Sequence, residues 1–302
     1  MISVIMPAYN CERYVEMAVR SILKQTYSDF ELLIADDQSK DRTKELIDGL
    51  AKDDIRIKTF HNEVNLGYLQ ASNKLFEKCR GEYITFQDAD DFSDPSRLEK
   101  LLDEFKKDKD LKCVGSNTIS FLEDVNNGKT SDFPLNYEDI LKSYSSKIVM
   151  TGSALMVKKE VLEDVGPYNL FFDRIGAEDI YWYGRIIEKY KTSNLAEPLY
   201  YYRRNPDSVS STHKDPKALI SHDMCMLAFE QRKRGGKDVV AEGNKEEQEF
   251  VCKKLLAEYY IKKGEFKKAF SYFGKLIPRF YKLDLGFYKL FTRQFIYHST
   301  GV

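Results

Sequence analysis

The sequence predicts an α/β protein: a mixed, mostly parallel central sheet flanked by helices, with a helical extension at the C-terminus. Three observations carry this. Apolar runs of strand length alternate with segments of helical period over about the first 110 residues, the pattern of a parallel sheet with crossover helices. After Lys109 the alternation gives way to longer strands and turn-rich loops. From about His213 onward only helical periodicity remains. The expected division is therefore 1–110 and 111–212 as two halves of one domain, and 213–302 as a C-terminal helical region.

In order, "SVIMPAYN" reads as a buried strand that breaks at Pro7, and "CERYVEMAVRSILKQ" as a helix with Tyr14, Val15, Ala18, Val19, Ile22 and Leu23 at helical spacing. "FELLIADD" is a second strand, "DRTKELIDGLAK" a second helix and "IRIKTF" a third strand. "LGYLQASNKLFEKC" is a third helix closed by Gly81, and "YITFQ" a fourth strand. Asp94-Pro95 opens a fourth helix, with Asp94 as N-cap. "LKCVGSNTISFLE" is a longer strand, "VNNGKTSD" a loop, "SALMVKKEVL" a strand running into a helix, and "EDIYWYGRIIEKY" a further helix. "EPLYYYRR" is an aromatic strand. "GNKEEQEFVCKKLLAEYYIKKGEFKKAFSYFGKLI" is a helical hairpin turning at Gly264.

Composition removes several functions. The net charge is −1, which argues against a nucleic-acid binder. Five cysteines lie far apart with no CxxC pair, neither a zinc site nor a disulfide framework, and fit a reducing compartment. No signal peptide and no apolar run near 18 residues is present, so a cytoplasmic protein is expected. There is no GxGxxG after the first strand and no GxxxxGK[ST], so neither a dinucleotide fingerprint nor a P-loop is offered.

Ligands of open α/β sheets bind outside the carboxyl ends of the strands. Three strand ends are polar here: Pro7-Ala8-Tyr9-Asn10, Asp36-Asp37 and Asp88-Ala89-Asp90-Asp91. Two carboxylates ~4 Å apart repel by about 4 kcal/mol at an effective dielectric of 20, a cost a cation offsets. Oxygen-only ligands select Mg²⁺ or Mn²⁺, completed by water and substrate phosphates. The competing reading makes Asp90, Asp91 and Asp94 turn and cap residues, and it is the better one for Asp94.

Together, "SVIMPAYN…FELLIADDQSKDRT", "NLGYLQASN" and "GEYITFQDADD" resemble, in order and spacing, the family 2 glycosyltransferases over roughly residues 1–210. The resemblance implies a GT-A fold, with a Rossmann-like nucleotide-binding half, and inverting transfer from a nucleoside diphosphate sugar with Mn²⁺ or Mg²⁺. Carried over, Pro7, Ala8 and Tyr9 line the nucleoside pocket and Asp37 accepts from the base. Asp88 and Ala89 lie near the ribose or sugar, and Asp90 binds the metal with Asp88. Asn65, Gly67 and Asn73 match an NxGxxxxxN segment; Ser72 stands where many members have Arg. Glu178-Asp179 opens a helix as the family's acidic pair, with Asp179 favoured as base and Glu178 second; a helix N-terminal charge is the bland alternative. Thr151, Gly152 and Ser153 approach acceptor or donor sugar. Arg203 or Arg204 stabilises the departing diphosphate, and His213 contacts metal or diphosphate. UDP is the expected nucleotide, and a glycan or lipid-linked hydroxyl the expected acceptor.

From Lys253 to Val302 basic residues exceed acidic ones by eight, mixed with Phe and Tyr. This segment reads equally as a peripheral contact with an anionic membrane surface or as core and homodimer contacts. A catalytically idle sugar-nucleotide-binding scaffold is the alternative function; a nucleotidyltransferase would want a Gly-rich loop where "MPAYNCERY" stands.

Overall fold

The structure is a computed structural model that describes residues 1–204 and 215–276. The described residues of Met1–Arg174 and Glu178–Thr212 form one compact unit, and those of Ile175–Ala177 and His213–Val302 a second.

The first unit opens with strands β1 (Ile2–Ala8), β2 (Phe30–Asp36), β3 (Ile57–His61) and β4 (Tyr83–Phe86), joined through helices α1 (Val15–Leu23), α2 (Thr43–Asp53) and α3 (Tyr68–Phe76). They stand in the order β3-β2-β1-β4, all parallel. A short strand β5 (Phe92–Ser93) and helix α4 (Arg97–Lys107) follow, then β6 (Cys113–Phe121), β7 (Lys129–Thr130), α5 (Tyr137–Ser143), β8 (Met156–Lys158), α6 (Lys159–Val165), α7 (Glu178–Lys189) and β9 (Thr192–Arg203). The sheet continues β4-β8-β6-β9-β5, with β7 on β6; most paired positions are parallel, and the antiparallel pairs all involve β5, β7 or β8. The mixed, mostly parallel sheet expected from the sequence is thus present.

Period-2 alternation explains how β1 is covered on both sides. Ile2, Val4, Met6 and Ala8 join a core with Val15, Ala18, Val19 and Ile22 of α1, Ile47 and Leu50 of α2, and Leu98, Leu101 and Phe105 of α4. Ile5 pairs in register with Phe86. Phe86 packs edge-on to Phe76 of α3 and to Trp182 of α7, both rings centred within 5.7 Å. Tyr168 closes this aromatic cluster, 5.4 Å from both Phe76 and Trp182.

Two boundaries differ from expectation. Helix α4 starts at Arg97, behind the N-cap Ser96, two residues later than expected; Asp94 accepts the Ser96 N–H and hydroxyl at 2.9 and 2.6 Å just ahead of it. Helix α3 ends at Phe76, so Gly81 does not cap it. Instead its N–H donates to Ser3 Oγ at 2.8 Å, and Ser3 donates on to the buried Glu31 at 2.7 Å. Helix α5 was not foreseen.

The described part of the second unit is helical: α8 (Ser221–Lys233), α9 (Val239–Glu242), α10 (Lys245–Lys262) and α11 (Phe266–Gly274). A capping box of Asn244 and Glu247 starts α10. Helices α10 and α11 form the expected hairpin about Gly264, with Tyr260 stacked on Tyr272 at 5.8 Å. All five cysteines are buried, and none is in a disulfide.

Candidate active site

Because β1, β2 and β4 run parallel, their carboxyl ends share one edge, and the three polar strand ends of the sequence lie along it. The backbone at Asp37 is fixed by its N–H bond to Ala8 O at 2.8 Å. Its carboxylate is buried and organises the next loop. Oδ1 accepts from Asn62 Nδ2 at 2.8 Å and Leu66 N at 2.9 Å, and Oδ2 from Gly67 N at 2.7 Å. One lone-pair site remains on Oδ2, since a carboxylate offers about four. Asn65 donates to the Asp37 carbonyl at 3.1 Å and accepts from Arg174 at 3.1 Å. Pro7 and Ala8 are buried in β1, and Tyr9 emerges beside them, 44% exposed. Asn73 lies elsewhere: both amide atoms pair with the Tyr168 backbone at 2.9 Å.

At the end of β4, Asp88 is wired on every side. Tyr68 donates its hydroxyl to Oδ1 at 3.0 Å and Ser153 to Oδ2 at 2.7 Å, while the Asp88 N–H donates to the Tyr200 hydroxyl at 3.0 Å. Asp91 accepts from Arg203 N at 2.6 Å through Oδ1, and its other oxygen is buried without a partner. Burial, and then the charge of Asp88, push Asp90 up to about 6; burial raises Asp88 and Asp91 as well. Ala89 is buried between them.

The second carboxylate group arrives on α7. Glu178 and Asp179 are its first residues. Gly152 donates its N–H to Asp179 Oδ2 at 3.3 Å, and Ile180 N donates to Oδ1 at 2.7 Å. A Cβ at Gly152 would stand 2.6 Å from the Asp179 side chain, so only glycine permits this approach. The turn Gly152–Ala154, led by Thr151, therefore touches both groups: Gly152 holds Asp179 and Ser153 holds Asp88. Burial raises both Glu178 and Asp179, and the charge of Asp179 raises Glu178 further, whereas the two backbone N–H groups favour the ionised form of Asp179.

Arg203 is held by its surroundings. Its Nε donates to the Asp90 carbonyl at 3.1 Å, and its guanidinium lies 4.6 Å from the rings of Tyr14 and Phe121. Arg204 is exposed and donates from Nε to Ser120 Oγ at 2.7 Å. His213 lies outside the described residues.

Three residues were not singled out from the sequence: Tyr68 and Tyr200, which hold Asp88, and Arg97, which donates to Thr85, Phe86 and Ser153 beneath it. Tyr68 sits inside the NxGxxxxxN segment and Tyr200 inside "YYYRR", so their segments were legible, but a hydroxyl pointing at a carboxylate leaves no mark distinct from a core ring. Arg97 had a signal: an arginine three residues after a run of aspartates, on the apolar face of a helix.

No three Asp, Glu, His or Cys side chains among the described residues are grouped to hold a metal. Asp90 nevertheless suits a cation that brings most of its own shell. It has no side-chain donor among the described residues, and it is raised by burial and then by the like charge of Asp88. An all-oxygen site with few protein ligands is the habit of Mg²⁺ and Mn²⁺.

The edge geometry and the paired carboxylates define a class. The family model described as Glycosyl transferase family 2 matches residues 3–166, and the chain belongs to that family. Among curated relatives, the uncharacterized glycosyltransferase EpsJ of Bacillus subtilis (strain 168) is 28% identical over 233 residues, covering 74% of this chain and 66% of that protein, just under two thirds of its length. Among solved structures, TarS 1–349 of S. aureus in complex with UDP-GlcNAc superposes with a TM-score of 0.62 at 16% identity over 94% of each chain. The mannosyltransferase PcManGT of Pyrobaculum calidifontis, in complex with GDP-Man and Mn²⁺, gives 0.59 at 16% identity over 97% of this chain and 78% of that one. These structures share the fold.

Proposed function

We propose that this protein is an inverting, divalent-cation-dependent glycosyltransferase. It moves a sugar from a nucleoside diphosphate donor, UDP-linked, to a hydroxyl of a glycan or lipid-linked acceptor in cell-surface polysaccharide synthesis. One observation carries the reading: the turn Gly152–Ala154 binds the strand-end carboxylate Asp88 and the helix-start carboxylate Asp179 at once. An inverting transfer needs a carboxylate base close to the place where a donor is held.

In this reading residues 1–212 are the catalytic domain. The exposed ring of Tyr9 stacks on the base beside Pro7 and Ala8, and Asp37 offers its remaining lone pair to a base N–H. Asn65 and Gly67 support this pocket from behind, whereas Asn73 serves the Tyr168 backbone. Asp88 and Ala89 border the ribose and sugar, and Asp90, with Asp88 beside it, faces the cation; His213, expected from the resemblance as a further contact, lies outside the described residues. That cation neutralises charge on the departing diphosphate. Arg203 keeps the Asp90 turn in place, and Arg204 approaches the phosphates.

Two adjacent enclosed carboxylates do not both ionise at low cost. The charge rests on Asp179, where two N–H groups point, and the proton stays on Glu178, which burial and the charge of Asp179 both raise. Asp179 is then the base that takes the acceptor hydroxyl proton, and Thr151 to Ser153 form its floor. The lysines of α10 and α11, among them Lys262, Lys267 and Lys268, support contact with an anionic membrane surface, where a lipid-linked acceptor is presented.

Calorimetry with UDP, GDP and dTDP, with and without Mn²⁺, tests the donor class. UDP is expected to bind with Mn²⁺, and Asp90→Ala to abolish it. Asp179→Asn is expected to keep that binding and lower turnover of a UDP-sugar panel by about 10²- to 10⁴-fold. Binding of no nucleotide under either condition sinks the reading. Sedimentation with anionic vesicles reports on the membrane contact.

A further inference from the structure

Beneath the strand-end carboxylates lies a guanidinium with no access to solvent. Arg97, the first residue of α4, is fully buried. From Nη1 it donates to Ser93 Oγ of β5 at 2.9 Å. From Nη2 it reaches Thr85 Oγ1 at 2.7 Å and the Phe86 carbonyl at 2.9 Å, both at the end of β4. The same nitrogen reaches the Ser153 carbonyl at 2.7 Å. Its guanidinium carbon sits 5.0 Å from the centre of the Tyr200 ring, whose hydroxyl takes the Asp88 N–H.

Burying a cation is costly, and a chain retains one only where several acceptors and opposite charges answer it. Here the acceptors come from three separate stretches of chain. Two of them, the end of β4 and β5, flank the Asp88–Asp91 turn on either side. The third is the turn whose N–H holds Asp179 and whose hydroxyl holds Asp88. A planar fork with fixed donor directions sets the relative placement of such stretches in a way a point charge does not.

We propose that Arg97 is a positioning residue that sets the spacing between the two carboxylate groups, acting through the Ser153 carbonyl. The inference rests on the glycosyltransferase reading for its kinetic consequence and on geometry alone for its structural one. Lysine at this position keeps the charge but reaches only one of the two directions in which Arg97 donates. The 151–154 turn then loses its anchor while β4 keeps its own ladder.

Arg97→Lys tests this in the full chain. Amide hydrogen exchange over residues 151–154 is expected to accelerate by at least about tenfold, with exchange over α2 and β3 unchanged. With a UDP-sugar that wild type turns over, kcat is expected to fall about 30- to 100-fold while KM for the donor stays within about threefold. Unchanged exchange at 151–154 overturns the proposal, as does acceleration spread evenly through the unit, which marks a purely structural role. An equal loss in kcat and rise in KM overturns it too. If wild type turns over no nucleotide sugar, the functional reading fails, and the exchange measurement still decides the role of Arg97. Should Arg97→Lys not fold, Ser93→Ala removes the acceptor of Nη1, a side chain whose hydrogen bonds go to Arg97 and Gln87 and not to the 151–154 turn; the same local pattern, at about three- to tenfold, supports the proposal, and none overturns it.

Discussion

Gly152 shows how narrow the tolerances of the carboxylate constellation are. Its missing side chain is what lets Asp179 reach the backbone N–H, since a Cβ would stand 2.6 Å from both Cβ and Oδ2 of Asp179. In Gly152→Ala the aspartate must move by several tenths of an ångström or more. Such a displacement of a reacting group costs on the order of 10²-fold in rate. The expected outcome is a fall of that size in kcat with nucleotide affinity held within a few-fold, read from steady-state kinetics beside calorimetry. The aspartates were legible in the sequence because a strand that ends in three of them contradicts ordinary surface economy. The partners of those aspartates were not. Tyr68 and Tyr200 approach Asp88 from stretches 20 and 112 residues away, and that convergence is a property of the folded sheet. Asn73 was legible as a motif member, yet its amide serves the Tyr168 backbone, a use that spacing cannot reveal.

At the level of elements, the parallel half was readable strand by strand, because each apolar run is short and is followed by a helix of clear period. What failed was the reading of ends. Gly81 looked like a stop after α3, but it is the point where the chain passes over β1. A Cβ there would lie 2.5 Å from the Ser3 backbone nitrogen, which cannot move without shifting the strand. Gly81→Ala is expected to destabilise the protein by about 2–3 kcal/mol, seen as a lowered denaturant midpoint with unchanged slope. The carboxyl end of the sheet lies at the other end of β1, so residual activity per folded molecule should stay near wild type. The start of α4 was placed two residues early: Asp94 does accept the Ser96 N–H as a capping aspartate would, but the regular helix begins only at Arg97.

For the whole molecule, the enclosed acids make stability depend on pH in a direction opposite to the usual one. Burial and Asp88 raise Asp90 to about 6, so between roughly pH 4 and 6 the folded protein holds a proton that the unfolded chain has released. Stability from this group is present below the ordinary carboxylate range and is lost as pH climbs through 6. The lowered carboxyls, such as Glu31, held down by Ser3 and Arg80 against its own burial, act only at lower pH. A cation beside Asp90 removes the penalty. The increase in Tm on adding Mn²⁺ is therefore expected to be larger at pH 7.5 than at pH 5, and to vanish in Asp90→Asn; equal increments at both pH values would refute the assignment of Asp90. The cysteines have a practical consequence. All five are buried, and burial lifts the thiols of Cys11, Cys79 and Cys113 to about 12. Maleimides need an accessible thiolate, so the folded protein offers them a silent background. A single cysteine placed at Val64, 58% exposed on the loop that Asp37 organises, would take a fluorophore alone and report nucleotide arrival as a change in emission.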